Sequence, residues 1–274
     1  MATDRKIKSS LTIFVVTLCV FVVIGNAAIA AEAKQEKNWS IEGAVRYTYL
    51  TPGGEMGGSN GGDVKQTSIS DLGMDSGEGA WGFSIGGQYH RPQLFFSGQQ
   101  SSFSGSGTTS HDISQGSFTI PAGAAVDTTM DLGIYSLAVT YDFLPGKNNL
   151  GVGLGIMGLD FEVAYTEIAT GVQINIDETY PLPLLAVSYS FFWKRMEFAG
   201  LVGGAYIKIN DDEVGYVNLD LSARYAFYKG DMWSWMASLG YRYVELKMDI
   251  KDDANEFKAD LNFSGPYIGV RFEY

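Results

Sequence analysis

The sequence predicts an all-β chain folded as a closed antiparallel up-and-down transmembrane β-barrel of about ten strands. The first observation is the terminal stretch Ser264 to Tyr274, SGPYIGVRFEY. Ile268, Val270, Phe272 and Tyr274 fall on one side of a strand there, and Tyr267, Gly269, Arg271 and Glu273 on the other. A period of two with one apolar face suits a strand between lipid and water, and about ten tilted residues cross a bilayer. The second observation is composition: 34 glycines, 14 % aromatic residues and only 18 % charged residues, where soluble domains average about a quarter charged. The third is that no run of twenty apolar residues follows the amino-terminal segment, so helical spans are excluded.

That segment has its own reading. Arg5, Lys6 and Lys8 precede an apolar run from Leu11 to Gly25, and Ala27, Ala28, Ala30 and Ala31 follow it. This is the layout of a cleaved secretory signal peptide over residues 1–30. Cys19, the one cysteine, lies inside the run and lacks the small preceding residue of a lipid-modified cysteine. An exported chain without cysteine is stabilised by ladders and packing rather than disulfides. Removing three basic residues makes the exported chain more acidic than the whole-chain net charge of −12, which argues against nucleic acid as a partner.

The remaining chain reads as a short polar lead (31–38) and one barrel domain (39–274). Trp39, Ile41, Val45, Tyr47 and Tyr49 share the first face, opposite Glu42, Arg46 and Thr48. Pro52 to Gly62 is glycine-rich and reads as a loop. Lys65 to Asp75 is either a short strand or part of that loop. Trp81 to Tyr89 alternates, His90-Arg91-Pro92 is a turn, and Gln93 to Phe103 returns with a weaker pattern. Ser104 to Asp127 is the longest predicted loop. Strands then follow over Asp131–Phe143, Leu150–Ile168, Val172–Phe192, Met196–Asn210, Val214–Tyr228, Met232–Ile250 and Phe257–Tyr274. Every second connection is a short turn, as at the periplasmic end of such barrels. Ten strands result; a hairpin at Lys65 to Asp75 would make twelve, and failure of the first pair would leave eight.

With its alternating aromatic terminal strand, the chain resembles bacterial outer-membrane β-barrel proteins, in the manner of small OmpA-barrel or OmpW-like members. No subfamily motif matches. The resemblance implies the outer membrane of a Gram-negative cell, contact with its lipids and lipopolysaccharide, and recognition by the barrel-assembly machinery through the terminal strand.

The apolar face changes along the later strands. Trp233, Trp235, Leu239 and Tyr241 give way to Val244, Leu246, Met248 and Ile250 on the opposite side. Phe257, Ala259, Leu261 and Phe263 stand in one phase and Ile268 to Tyr274 in the other, changing at Gly265-Pro266. A change of one residue exchanges the faces. The expectation is an apolar cluster inside the outer part of the barrel: Phe161, Val163, Ile174, Ile176, Ile207, Leu246, Met248, Leu261 and Phe263. Two readings stay open: a packed plug, or a binding pocket for a small hydrophobic ligand.

Parity places Glu42, Arg46, Gln88, Asp142, Glu197, Asn218, Asp220, Arg224, Arg242 and Arg271 toward the lumen, where mixed signs suggest a salt-bridged interior of a narrow barrel. Chemistry is sparsely signalled. After the signal segment the only histidines are His90, at a turn, and His111, in the long loop. No cluster has metal-ligand spacing, and no cofactor is expected. The acidic runs Asp211-Asp212-Glu213 and Asp252-Asp253 read as solvated loop acids. The leading expectation is a non-enzymatic barrel serving envelope structure or surface interaction. A narrow channel or pocket for a small hydrophobic solute is the alternative, and a lipid-modifying enzyme or protease is a second one.

Overall fold

A computed structural model describes residues 39–60, 63–143, 148–209, 211–230, 232–252 and 255–274. The expected signal peptide and polar lead lie outside the described residues, as does most of the turn expected at 144–148. The strands are β1 (Trp39–Asn60), β2 (Thr67–Ser68), β3 (Glu78–Tyr89), β4 (Pro92–Thr108), β5 (Ile113–Gln115), β6 (Phe118–Ile120), β7 (Ala125–Asp142), β8 (Asn148–Glu167), β9 (Gln173–Trp193), β10 (Met196–Ile209), β11 (Asp212–Lys229), β12 (Ser234–Asp252) and β13 (Asn255–Glu273). The order β13-β12-β11-β10-β9-β8-β7-β4-β3-β1, closed by pairing of β13 with β1, makes a 10-strand antiparallel barrel. Closure leaves no open sheet edge, which is what allows strands to stand in lipid.

The change of apolar face involves no change of register. β12 pairs with β13 without interruption from Ser234↔Glu273 to Asp252↔Asn255. Odd-numbered residues of β13 point inward from Phe257 to Tyr267, while Ile268 and Val270 point outward. It is composition, not geometry, that switches: the outward positions are apolar in the half near the short turns and polar beyond it. In that half Leu154, Leu185, Leu239 and Ile268 are each more than 60 % exposed, a band that only lipid would cover. Aromatic rings mark its edge near the turns, where Trp233 lies 4.5 Å from Tyr274 between centroids.

Gly265 stands at the composition switch. A side-chain carbon there would overlap the Tyr49 carbonyl oxygen, and Pro266 next to it supplies no N–H to the ladder. Gly265→Ala should therefore lower stability by about 2–3 kcal/mol, the scale of forced overpacking, read from the urea midpoint of refolding into lipid vesicles. An unchanged midpoint would show that the two backbones part without strain.

The loop end departs from expectation. Pro52 to Asn60 is not a loop: β1 continues through it, paired with β13 from Pro52↔Phe263 to Asn60↔Asn255. Glycine is poor in strands on its own account, but here it lets other backbone come close. A Cβ at Gly57 would meet the Lys65 carbonyl, and one at Gly58 the Ser114 carbonyl. Nor is Ser104 to Asp127 a single loop. β4 runs on to Thr108 and β7 starts at Ala125, and between them β5 and β6 form a small hairpin. The ambiguous Lys65–Asp75 segment contributes β2 and a turn that buries Ile69, Leu72 and Met74.

These pieces cap the barrel and are tied to one another. The Ser110 hydroxyl donates to Asp71 Oδ2 at 2.6 Å, and the serine hydrogen bonds of Ser110 and Ser68 hold the Asp71 carboxyl below its ordinary pKa. A carboxyl depressed by folding contributes stability that is present above the unfolded value near ~4 and lost as pH falls through the lower folded one. Asp71→Asn should thus speed amide exchange in 69–74 at neutral pH, with the difference from wild type disappearing in acid. A difference that persists in acid would mean the carboxylate is not the tie.

Candidate functional site

The lumen divides into two chemically opposite halves. At the loop end the interior is apolar and filled. Phe161, Val163, Leu246, Leu261 and Phe263 have no measurable exposure, and Ile174, Ile176 and Met248 are buried with them. Ile207 packs against the cluster, and the caps add Ile69, Leu72, Met74, Ile113 and Ile120. Phe263 stacks on Phe103 with centroids 5.4 Å apart, and Phe161 lies 6.0 Å from Phe257. All nine residues expected in an upper apolar cluster are brought together: eight belong to the buried core, and Ile207, half-buried, packs against it.

Toward the short turns the lumen is polar and holds a cavity of about 290 Å³. Nine of the ten expected lumen residues line it, and Gln88 is joined to one of them. Arg46 Nη1 donates to Asp220 Oδ2 at 2.9 Å, and the Tyr267 hydroxyl donates to Asp220 Oδ1 at 2.6 Å. Arg224 Nη1 donates to Glu197 Oε1 at 2.9 Å. Arg271 is paired with Glu42 and stands 3.8 Å from the second oxygen of Glu197. Gln88 Nε2 and Asn149 Nδ2 both donate to Asp142 Oδ2, at 2.9 and 3.0 Å. Arg242 Nε donates to Asn218 Oδ1 at 3.0 Å.

Alternation explains why these side chains converge. Each charged residue sits on the inward phase of a strand whose outward neighbours are apolar, so the pleat turns it away from lipid. The cost of removing charge from water is offset where each group finds an opposite charge and further hydrogen bonds.

Gln99 was not legible as a lumen residue, yet its carbonyl oxygen accepts from both Arg242 Nη1 and Arg46 Nη2 (3.4 Å). It lies in the weakly patterned β4, where Gln99 and Gln100 are adjacent and only the register with Ile134 on β7 picks the inward one. Neither histidine lines the lumen cavity. His90 has φ 58° at the β3–β4 turn, with its ring 4.4 Å from Tyr89. Asp112, beside His111, accepts the Ala122 N–H at 2.7 Å. In the acidic run after β10, Glu213 is paired with Lys208 and Asp212 Oδ1 accepts the Lys251 N–H.

No protein-family model and no curated protein matches the sequence. Solved structures do. The outer-membrane protease OmpT of Escherichia coli is 11 % identical at a TM-score of 0.55, over 89 % of this chain and 99 % of that one. The translocator domain of the autotransporter NalP of Neisseria meningitidis is 13 % identical at 0.41, over 93 % and 96 %. A FadL homologue of Pseudomonas aeruginosa is 8 % identical at 0.34, over 87 % and 90 %. The likeness to OmpT is one of fold, and the chain has the architecture of an outer-membrane β-barrel. It also corrects one expectation: that the chain is not an enzyme. The architecture it shares is one in which a protease is built, so sparse histidines do not exclude catalysis, and fold alone does not assign it.

Proposed function

We propose that this protein is a sealed outer-membrane barrel that holds a rigid β-built rim at the cell surface for envelope structure or surface interaction. The observation that carries the reading is the packed apolar core in the loop-end half of the lumen, roofed by β2, the β5–β6 hairpin and their turns. A through-pore needs continuous water, and close-packed side chains leave none. The short turns, including Lys194-Arg195 at β9–β10, face the periplasm, and the extended strands stand outside, as connection lengths do in this class. The apolar band then meets lipid and lipopolysaccharide, and β13 offers its aromatic end to the assembly machinery.

Surface placement is tested with single cysteines and a membrane-impermeant maleimide on intact cells. Thr170→Cys, at the β8–β9 connection, should label, whereas Lys194→Cys should label only after the outer membrane is broken. The reverse pattern would overturn the orientation and, with it, the surface role.

A further inference from the structure

The charges of the polar half-lumen do not balance at its deep end. Arg46 on β1 and Arg242 on β12 flank a single carboxylate, Asp220 on β11. Asp220 opposes Arg242 across the β11–β12 ladder, but its two oxygens are taken by Arg46 and by the Tyr267 hydroxyl. Arg242 is only 5 % exposed, and its hydrogen-bond partners, Asn218 and Gln99, are neutral amides. Guanidinium groups stay protonated in proteins, so two positive charges here share one negative charge. An uncompensated buried charge is costly. The Gln99 carbonyl oxygen, bonded to both guanidinium groups, marks the position where an anionic oxygen would be held better than a neutral one.

The opposite wall carries an apolar patch at its deep end, bordered by Ser136, Thr140, Asp142, Asn149, Ser188 and Ser190. In the ring of strands β8 lies diametrically across from β13, and on this side Ile134 and Ala138 of β7, Met157 of β8 and Leu184 and Ala186 of β9 line the same cavity. Ile134 is level with Gln99, its partner in the β4–β7 register.

From these two walls we infer that the cavity binds a small monocarboxylate with a compact apolar body. The carboxylate lies against Arg46 and Arg242, and the body rests on the β7–β9 wall. The lining as a whole carries four arginines and four carboxylates, so the excess is local to this end, and one locally unbalanced positive charge selects one carboxylate rather than a dianion. The cavity volume of about 290 Å³ sits at the lower end of small-molecule sites. Entry is from the turn end, because the loop end is filled. This inference goes beyond the sealed-barrel reading, since a cavity reached from one side carries no current.

Calorimetry on the full barrel in a maltoside detergent, in chloride-free Tris sulfate buffer, tests it with sodium benzoate as the probe. Wild type should bind benzoate saturably and one to one, with benzamide at least about 10-fold weaker for want of charge-assisted hydrogen bonds. Arg242→Gln should weaken benzoate by about 10-fold or more, and Arg242→Lys should weaken it less. Ala186→Leu, which fills the apolar side without touching a charge, should weaken it too. If Arg242→Gln fails to fold by circular dichroism, Ala186→Leu and the benzamide comparison decide. No saturable benzoate binding, equal binding of benzamide, or benzoate binding indifferent to either folded variant would overturn the inference. So would displacement by chloride at equal concentration, which would reveal an inorganic-anion site only.

Discussion

Phe263→Ala is expected to lower the stability of the barrel by about 3–5 kcal/mol, the cost of deleting a fully buried phenylalanine that its surroundings cannot replace. Phe263 has no exposure and stacks on Phe103 from the far side of β3 and β1. Its neighbours belong to β-ladders that are paired along their length, so collapse into the void would have to break register. Urea unfolding from lipid vesicles measures the loss. Phe263→Leu, which keeps most of the volume, should cost much less. A loss below about 1 kcal/mol for the alanine variant would mean that the loop-end interior is loosely filled, since tight cores do not forgive that deletion. The plug on which the sealed-barrel reading depends would then be in question.

Glu197→Gln carries the second large effect. Glu197 is 5 % exposed; it accepts from Arg224 at 2.9 Å and faces Arg271 at 3.8 Å. Neutralising it leaves Arg224 without its carboxylate and Arg271 with Glu42 alone. Breaking a fully buried pair costs about 3–5 kcal/mol. The two arginine side chains keep 24 % and 19 % of their exposure, so screening by water reduces the expected loss to about 2–3 kcal/mol. The compensating test is Glu197→Leu with Arg224→Leu. Removing both charges should recover much of the loss, because apolar residues of similar size replace buried pairs at little cost. If the double variant is no better than the single ones, Glu197 acts through shape rather than charge.

The barrel and most of its interior were legible because a period of two states which face each residue takes. Arg46, Arg224, Arg242 and Arg271 could be placed in the lumen from parity alone, and Leu246 or Phe263 in an inward apolar set from the switch of phase. What parity cannot state is which inward residues meet. That Gln99 would reach Arg242, 143 positions away in sequence, follows from barrel closure and register. The same limit hid the cap. Ile113 and Ile120 lie in a stretch of serine, threonine and glycine with no alternation, and Pro52 to Asn60 carries four glycines. These segments are strands because neighbouring strands supply their hydrogen bonds and cap backbone packs against the missing side chains, and neither cause is local. The balance of catalysis against binding was less legible still, because a shared architecture with a protease leaves function to particular side chains.

Single-channel recording in planar bilayers tests the sealed lumen most directly. The wild-type barrel, inserted at high density and held at voltages of either sign, is predicted to give no stepwise current above the protein-free membrane, because the packed residues around Phe161 and Phe263 interrupt the water path. Reproducible unitary steps that scale with protein and with salt would contradict it.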